Sequence, residues 1–405
     1  MNLQKLILIF FIFCSFMFTS CSNYNSYYYL SQNKLLKKYK TTLKVLNKNQ
    51  INPQLIWFSK VIKKSNDNFS KLHIAYKNKL LYIAHRDGIV KCIDINNGKI
   101  IWNINLAKKN FCIFTYCLSE ELSSGPVISN NYLYLGSEKG KIIALNIKNG
   151  NKIWETSVFS EVLSDPVISN NFLIVHNNNN ILQGLNKNNG HILWTVNLGP
   201  LESYSFRGTS KPTIFFNNVI TGSDNGIISS RILNNGFMVW QKDLTKFPNF
   251  FHILDFNDID AQPIILNGII YVASYNGNFH ALDLSNGDII WKKSYKVSSD
   301  FIIKNNRIYI FDINNKLLSL DINKGNIIWS QNKFINKETI TPIYYKNNII
   351  IIDKCGKIYW LNFHNGNIIG NTLIKKFNDK IQSSLLVNNK LILQTRSGNI
   401  YVFKL

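Results

Sequence analysis

Short apolar runs alternate with turns rich in Asn and Gly along most of the chain. In the stretch from Pro126 to Val158, apolar runs at 127–128, 132–135, 142–145 and 152–157 are separated by Asn130-Asn131, Glu138-Lys139-Gly140 and Lys148-Asn149-Gly150. Gly and Asn tolerate the positive φ angles that tight hairpin turns require. The pattern therefore predicts a meander of four short antiparallel strands.

The same unit returns with a fixed internal spacing. A Gly is followed ten residues later by a second Gly and four residues after that by a Trp, as in Gly88, Gly98 and Trp102. Further copies are Gly140/Gly150/Trp154, Asn180/Gly190/Trp194, Gly226/Gly236/Trp240, Gly277/Gly287/Trp291, Asn315/Gly325/Trp329 and Gly356/Gly366/Gly370. Four-stranded units of ~40 residues are typical of β-propeller blades.

Other positions of the unit also have fixed residue types. The position four after the first Gly or Asn is small in six copies: Cys92, Ala144, Gly184, Ser230, Ala281 and Ser319. We expect close packing of neighbouring sheets there, with Cys92 as a packing residue and the tryptophans in the core between blades. Five copies carry a Pro, predicted at the first residue of a strand where no ladder donor is lost: Pro126, Pro166, Pro212, Pro263 and Pro342.

The last copy, Ser384 to Leu405, ends before its outer strand. A matching strand stands at the other end of the propeller region, in Leu55-Ile56-Trp57-Phe58-Ser59. Pairing of the two ends would remove the open edges of the ring. The sequence therefore predicts an all-β chain whose residues 51–405 form an eight-bladed β-propeller of four-stranded antiparallel blades, closed by the N-terminal strand.

The first residues are typical of a secreted protein. Lys5 precedes an apolar run at 6–18, shorter than the ~20 residues of a membrane-spanning helix. Small residues then precede Cys21, which resembles a bacterial lipobox. This implies a signal peptide at 1–20, lipid attachment at Cys21 and a tether at 21–50. Ser22, rather than Asp, after the cysteine implies the outer membrane. A chance cysteine after an ordinary signal peptide, or an uncleaved anchor, is the alternative.

The net charge of +23 has two interpretations. It could attract nucleic acid or an anionic membrane, or it could reflect a composition rich in residues with AT-rich codons. The lysines are scattered through turns and no nucleic-acid-binding signature accompanies them, which favours the compositional interpretation. We expect no nucleic-acid partner.

Chemistry-bearing residues are sparse. Cys112 and Cys117 lie in one loop, where an oxidising compartment would allow a local disulfide. No second Cys or His pair accompanies them, which disfavours zinc. The histidines form no spaced metal motif, and no nucleophile elbow or catalytic carboxylate pair is present. We expect no enzymatic activity, metal or cofactor.

The irregularities of the repeat indicate a binding surface. Successive second glycines are 52, 46 and 51 residues apart after the first, third and fourth copies, but 38 to 41 apart elsewhere. The stretched connections after the third and fourth copies are neighbours, and loops on a rigid scaffold commonly carry binding residues. They contain aromatic residues and an Arg flanked by acids, a composition typical of interface hot spots: Tyr204, Phe206, Arg207, Asp258 and Asp260. Alternatively, the two acids satisfy turn amides and pair internally with the Arg.

The Asp/Asn-x-x-x-Gly-x-x-x-Trp turns resemble the tryptophan-docking repeats of pyrroloquinoline-quinone dehydrogenases. This chain has no insertion large enough for their catalytic funnel. It is more similar to the BamB family, propeller lipoproteins of the bacterial outer-membrane β-barrel assembly (BAM) machinery. The similarity is most specific at 207–212 (RGTSKP), 258–263 (DIDAQP) and 273–278 (ASYNGN).

The resemblance implies a non-enzymatic periplasmic scaffold that binds the POTRA domains of the barrel-inserting subunit BamA. By this resemblance, the positions that contact BamA in the family correspond to Tyr204, Phe206, Arg207, Asp258 and Asp260. Two positions depart from the family pattern, because aliphatic residues are usual where Tyr204 and Phe206 stand. A quinoprotein-like dehydrogenase and a peptide- or glycan-binding propeller are the alternative functions.

Overall fold

The computed structural model describes residues 53–60, 71–107, 120–200, 209–245, 258–275, 277–297, 299–374 and 379–405. The chain divides into two compact units, Met1–Gln50 and Ile51–Leu405, and every described residue belongs to the second. The signal peptide, the lipid site and the tether predicted from sequence lie outside the described residues. So do Cys112, Cys117, Tyr204, Phe206 and Arg207.

The described residues form thirty-two strands in eight four-stranded antiparallel sheets, which confirms the predicted propeller. Blade 1 is β2 (Ile74–Lys77), β3 (Leu80–Ala84), β4 (Ile89–Asp94) and β5 (Ile100–Asn105). Blade 2 is β6 (Leu122–Ser129), β7 (Tyr132–Ser137), β8 (Lys141–Asn146) and β9 (Lys152–Ser157). Blade 3 is β10 (Val167–Ser169), β11 (Phe172–Asn177), β12 (Ile181–Asn186) and β13 (Ile192–Asn197). Blade 4 is β14 (Thr213–Phe215), β15 (Asn218–Gly222), β16 (Ile227–Ile232) and β17 (Met238–Asp243).

The second half of the ring repeats the arrangement. Blade 5 is β18 (Ile264–Leu266), β19 (Ile269–Ala273), β20 (Phe279–Asp283) and β21 (Ile289–Lys293). Blade 6 is β22 (Ile302–Lys304), β23 (Arg307–Phe311), β24 (Leu317–Asp321) and β25 (Ile327–Gln331), followed by a 3-10 helix, Asn332–Phe334. Blade 7 is β26 (Ile343–Tyr345), β27 (Asn348–Ile352), β28 (Lys357–Asn362) and β29 (Ile368–Leu373). Blade 8 is β30 (Ile381–Val387), β31 (Lys390–Thr395), β32 (Ile400–Lys404) and, from the other end of the chain, β1 (Gln54–Ser59).

Closure by the N-terminal strand is confirmed by the order of blade 8, which is β1-β32-β31-β30. Leu55 is paired with Phe403, and Phe58 with Tyr401. β1 therefore covers the edge of β32 that would otherwise be open.

Seven tryptophans join neighbouring blades, as the sequence predicted. Each lies on an outer strand and donates its indole N–H to a carbonyl in the turn after the third strand of the next blade. The donor-acceptor distances are 2.9–3.2 Å, for Trp57–Ile95, Trp102–Ile147, Trp154–Lys187, Trp194–Leu233, Trp240–Leu284, Trp291–Ile322 and Trp329–Phe363. The rings fill the space between sheets and do not form a ligand cage.

The second Gly of each unit adopts the positive φ of its turn and also leaves room for the tryptophan of the preceding blade. Gly150 has φ +77°, and a Cβ atom there would lie 2.8 Å from Cε3 of Trp102 in the preceding blade. Within a blade, the tryptophan is paired in register with the small residue, as Trp102 is with Cys92. Cys92 is fully buried, and burial raises the pKa of its thiol to about 11, which agrees with a packing role.

Blade 7 reverses this pair. Its third strand carries Trp360 in the position that is small elsewhere, and its outer strand carries Gly370 opposite. Trp360 is fully buried and packs with Ile381, Leu391 and other apolar residues of blades 7 and 8. Its indole N–H donates no hydrogen bond within the described part of the chain.

The proline prediction was wrong in detail. Pro166, Pro212, Pro263 and Pro342 stand immediately before their strands, while Pro126 lies inside β6. The ladder between β6 and β7 passes from Ser124 directly to Val127, so Pro126 occupies an irregular point where it withholds no ladder donor.

An antiparallel meander separates the turns of each blade onto two faces. Turns between first and second strands and between third and fourth strands lie on what we call the hairpin face. Turns between second and third strands and the connections between blades lie on the connection face. Among the described residues, no helix has the length and apolarity needed to cross a membrane.

Candidate functional site

The predicted site lies on the connection face, where blades 4 and 5 meet. Its described parts are residues 209–212, which lead into blade 4, and residues 258–263, which lead into blade 5. Of the predicted partner-binding residues, the structure describes Asp258 and Asp260.

Ile259 holds the acidic segment against blade 4. Its side chain is fully buried and packs with Ile220, Ile228 and Leu244. Gly222, the last residue of β15, makes room for it, since a Cβ atom on Gly222 would lie 2.2 Å from Cγ2 of Ile259. Burial of this side chain fixes the positions of the two flanking aspartates.

Hydrogen bonds tie the two segments together. The Ser210 hydroxyl donates to the carbonyl of Ala261 at 3.2 Å. The Ser210 carbonyl lies 2.8 Å from Nδ1 of the buried His176 in blade 3. Burial lowers the pKa of His176 to about 4, so the ring is neutral at physiological pH and acts as a donor to this carbonyl. Blades 3, 4 and 5 therefore share one rigid network.

Both predicted acids point inward. Asp258 is 1% exposed, and its carbonyl accepts the backbone N–H of Tyr275 at 3.0 Å. Asp260 is half-buried, burial raises the pKa of its carboxyl, and its buried Oδ1 accepts no hydrogen bond from the described residues. Among the described residues, therefore, no turn amide donates to this oxygen.

Sequence reasoning missed a third carboxyl group, Asp224, in the turn between β15 and β16. It is 1% exposed, and in the part of the chain that the structure describes no group donates a hydrogen bond to either of its carboxyl oxygens. Burial raises its pKa to about 8, and the charges of Asp260 and Asp258 contribute, while Lys71 opposes them. The sequence shows only that Asp224 stands two residues before Gly226, a position typical of an ordinary turn residue, so nothing in it indicates a buried carboxyl group.

A cavity of about 340 Å³ lies beside these acids at the ring axis. Residues that precede the inner strands of several blades line it, with both signs of charge: Lys71, His73, Asp165, Lys211, Asp260 and Asp300. Asp165 lies 3.2 Å from the Lys211 ammonium and 3.3 Å from Nδ1 of His73. Within the described residues, no group of three His, Cys, Asp or Glu side chains could hold a metal ion. The arrangement suits recognition of a charged surface.

The sequence profile of the family described as "Outer membrane protein assembly factor BamB" matches residues 86–331 and 267–404. The chain belongs to the BamB family. The BamB of Escherichia coli K12 is 32% identical over 87% of this chain and 89% of its own length. The BamB of Moranella endobia is 33% identical over 92% of this chain and 96% of its own length.

A solved structure of BamB from Moraxella catarrhalis superposes with a TM-score of 0.75 at 21% identity, over 87% of this chain and all of that one. At this identity the superposition shows a shared fold. The resemblance to the BamB family stated from the sequence is confirmed, and the relatives are named for assembly rather than for an enzymatic reaction.

Proposed function

We propose that this chain is a lipid-anchored, non-enzymatic scaffold of the BAM complex, which binds the POTRA domains of BamA and assists insertion of β-barrel proteins. The observation that carries the proposal is the match, over 87–92% of the chain, to proteins named as outer membrane protein assembly factors. The closed ring supports it, because a propeller supplies a rigid platform from which loops can bind a partner.

The proposed docking surface comprises Tyr204, Phe206 and Arg207 with Asp258 and Asp260. Its support is the anchoring of the acidic segment by Ile259 and the hydrogen bond that joins residues 209–212 to residues 258–263. Asp258 is buried, so its role is to shape and charge the surface. Aromatic side chains and an Arg then supply the contact area that usually dominates interface energies.

The decisive experiment is titration of purified BamA POTRA domains with wild-type protein and with Arg207→Glu. We expect the variant to bind at least about tenfold more weakly, since reversal of one central charge costs more than about 1.4 kcal/mol. Lys148→Glu, an equal charge change at an exposed turn of the hairpin face, is the control and should bind like wild type. Equal dissociation constants for Arg207→Glu and wild type would refute the site.

The proposed anchor is tested separately. Cys21→Ser should abolish incorporation of radiolabelled palmitate and release the protein from the outer-membrane fraction, because lipid chains provide the membrane affinity. Cys355→Ser, which removes an exposed free thiol in blade 7, is the control. If Cys21→Ser remained palmitoylated and in the membrane fraction, the lipid site would be wrong.

A further inference from the structure

A cluster of three lysines lies on the connection face between blades 6 and 7, away from the proposed docking surface. The 3-10 helix Asn332–Phe334, capped by the Gln331 side chain, places Lys333 at the start of this connection. Lys337 follows a tight turn closed by its own N–H bonding to the Phe334 carbonyl at 2.9 Å. Lys357 begins β28 of blade 7.

Tyr359 lies at the centre of the cluster. The Lys337 ammonium donates to the Tyr359 hydroxyl at 2.5 Å and lies 4.6 Å from the centre of its ring. The Lys357 ammonium lies 5.2 Å from the same ring centre. The Phe334 ring, 6.0 Å from the Lys337 ammonium, packs edge-on against Tyr359 and gives the site an apolar wall.

The fold supplies one nearby carboxylate, Asp353, for the three positive charges of this cluster. All three lysines are half-buried, and within the described residues none forms an ion pair. Burial lowers the pKa of Lys337, and the charges of Lys333 and Lys357 lower it further, while Asp353 acts in the opposite direction. The nearby Glu338 is occupied elsewhere, at 2.8 Å from Lys380. Half-buried like charges are unfavourable unless an anion joins them.

We propose that Lys333, Lys337 and Lys357, with the Tyr359 hydroxyl, form a binding site for a phosphoryl group. Tyr359 accepts a hydrogen bond from Lys337, which leaves its own proton free to donate to an anion. Three ammonium groups and one hydroxyl match the several oxygens and double charge of a phosphate, whereas one carboxylate would neutralise only one of them. The site is independent of BamA binding, since it lies on other blades.

The test measures thermal unfolding of the purified protein with inorganic phosphate and with sodium chloride at equal ionic strength. Phosphate should raise the Tm of the wild type by about 2 °C or more beyond chloride, because a ligand of the native state stabilises it. The triple variant Lys333→Gln/Lys337→Gln/Lys357→Gln should lose this difference. The control triple variant Lys99→Gln/Lys148→Gln/Lys324→Gln removes the same charge from exposed turns of the hairpin face and should keep it.

A second arm identifies the source of the phosphoryl group and remains informative if the first triple variant folds poorly. Wild type and the single variant Lys357→Gln are sedimented with vesicles of phosphatidylglycerol in phosphatidylcholine and with phosphatidylcholine alone. Binding to the anionic vesicles that is weakened by Lys357→Gln assigns the site to a lipid headgroup, and a response to inorganic phosphate alone assigns it to a soluble phosphate. The proposal is overturned if the wild type responds neither to phosphate nor to the anionic vesicles, or if the two triple variants respond equally to phosphate.

Discussion

Seven junctions between blades follow one plan, and the junction between blades 7 and 8 follows another. In the seven, a tryptophan on an outer strand bonds to the next blade's turn and packs on its glycine. At the eighth, the outer strand carries Gly370, and the large ring, Trp360, lies one strand further inward. The difference follows from closure, because blade 8 is built from both ends of the chain and has no turn between β32 and β1.

The comparison shows what the repeat requires. A tryptophan on the outer strand is useful only where the next blade offers a turn carbonyl and a glycine without a side chain. At the junction where blade 8 has no such turn, the same volume is filled from the third strand, and the indole N–H of Trp360 donates to no described residue. Three predictions test this difference between the junctions, and a fourth concerns the region where blades 4 and 5 meet.

Removal of the closing strand should have the largest effect. A chain starting at residue 60 lacks β1, which leaves the edge of β32 open and Ile95 without its tryptophan donor. We expect the free energy of unfolding to fall by more than about 5 kcal/mol, or cooperative unfolding to be lost, with oligomers formed through the open edge. Urea denaturation and size-exclusion chromatography measure both effects.

The matched control is a chain starting at residue 53, which keeps β1. It should unfold like a chain that retains residues 21–52. Identical midpoints for the chains starting at 53 and at 60 would mean that β1 does not close the ring.

Gly190→Ala tests the glycine contact at a regular junction. A Cβ atom there would lie 2.3 Å from Oγ1 of Thr156 and 2.5 Å from Cε3 of Trp154, both in the preceding blade, at φ +77°. We expect a loss of about 2–4 kcal/mol from strain and overpacking. Gly268→Ala is the control, because Gly268 has φ +76° with no atom within 4 Å of the added carbon. It should lose only about 1 kcal/mol, and equal losses in urea denaturation would contradict a role for the tryptophan contact.

A pair of conservative substitutions compares the two kinds of junction directly. Trp194→Phe removes the 2.9 Å hydrogen bond to Leu233 as well as ring volume. Trp360→Phe removes volume and an indole N–H that has no hydrogen-bond acceptor among the described residues. The Trp194 variant should therefore be less stable than the Trp360 variant by about 1–2 kcal/mol. The reverse order in chemical denaturation would show that the hydrogen bond is not what distinguishes the junctions.

Asp224→Asn asks whether the irregular blade 4–5 region serves the fold. The pKa of Asp224 is about 8 in the folded protein against 3.8 for the free carboxyl group. Above pH 4 the unfolded chain loses this proton while the folded chain retains it, so the carboxyl group destabilises the fold increasingly until pH 8. The variant should match wild type at pH 4 and be several kcal/mol more stable at pH 8, since each pKa unit of the shift corresponds to about 1.4 kcal/mol.

The measurement is the difference in urea stability between variant and wild type across this pH range, which isolates Asp224 from His176. The pKa of His176, lowered from 6.5 to about 4, gives the opposite trend, with stability lost as the pH falls from 6.5 to about 4. A variant less stable than wild type at pH 8 would mean that the carboxyl group supports the fold.

The sequence predicted the ring well because each blade repeats the same local chemistry. The four-residue spacing from glycine to tryptophan, as in Gly98 and Trp102, recurs along the chain. In all regular copies it serves the same contact, in which the tryptophan of one blade packs on the glycine of the next. The missing outer strand in the last copy was enough to predict closure by Leu55–Ser59. The repeat spacing also shows that Gly370 replaces the tryptophan in the seventh copy. The reason for this replacement depends on the structure, because it lies in the missing turn of blade 8.

The candidate site was less predictable, because it depends on contacts between loops of different blades. Asp258 and Asp260 could be named from composition and family resemblance, but their inward orientation follows from Ile259 fitting against Gly222. Asp224 carried no signal, since its burial depends on residues distant in sequence.

The closing strand also sets an order of events during synthesis. Of the strands in the ring, β1 leaves the ribosome first and its partner β32 leaves last. At a synthesis rate of ~5–20 residues per second, β1 remains without its partner strand for roughly 20–70 seconds. During this interval Leu55, Ile56 and Phe58, which remain half-exposed even in the finished ring, belong to an unpaired strand. Sequestration of that segment by a chaperone would protect the nascent chain until the ring can close.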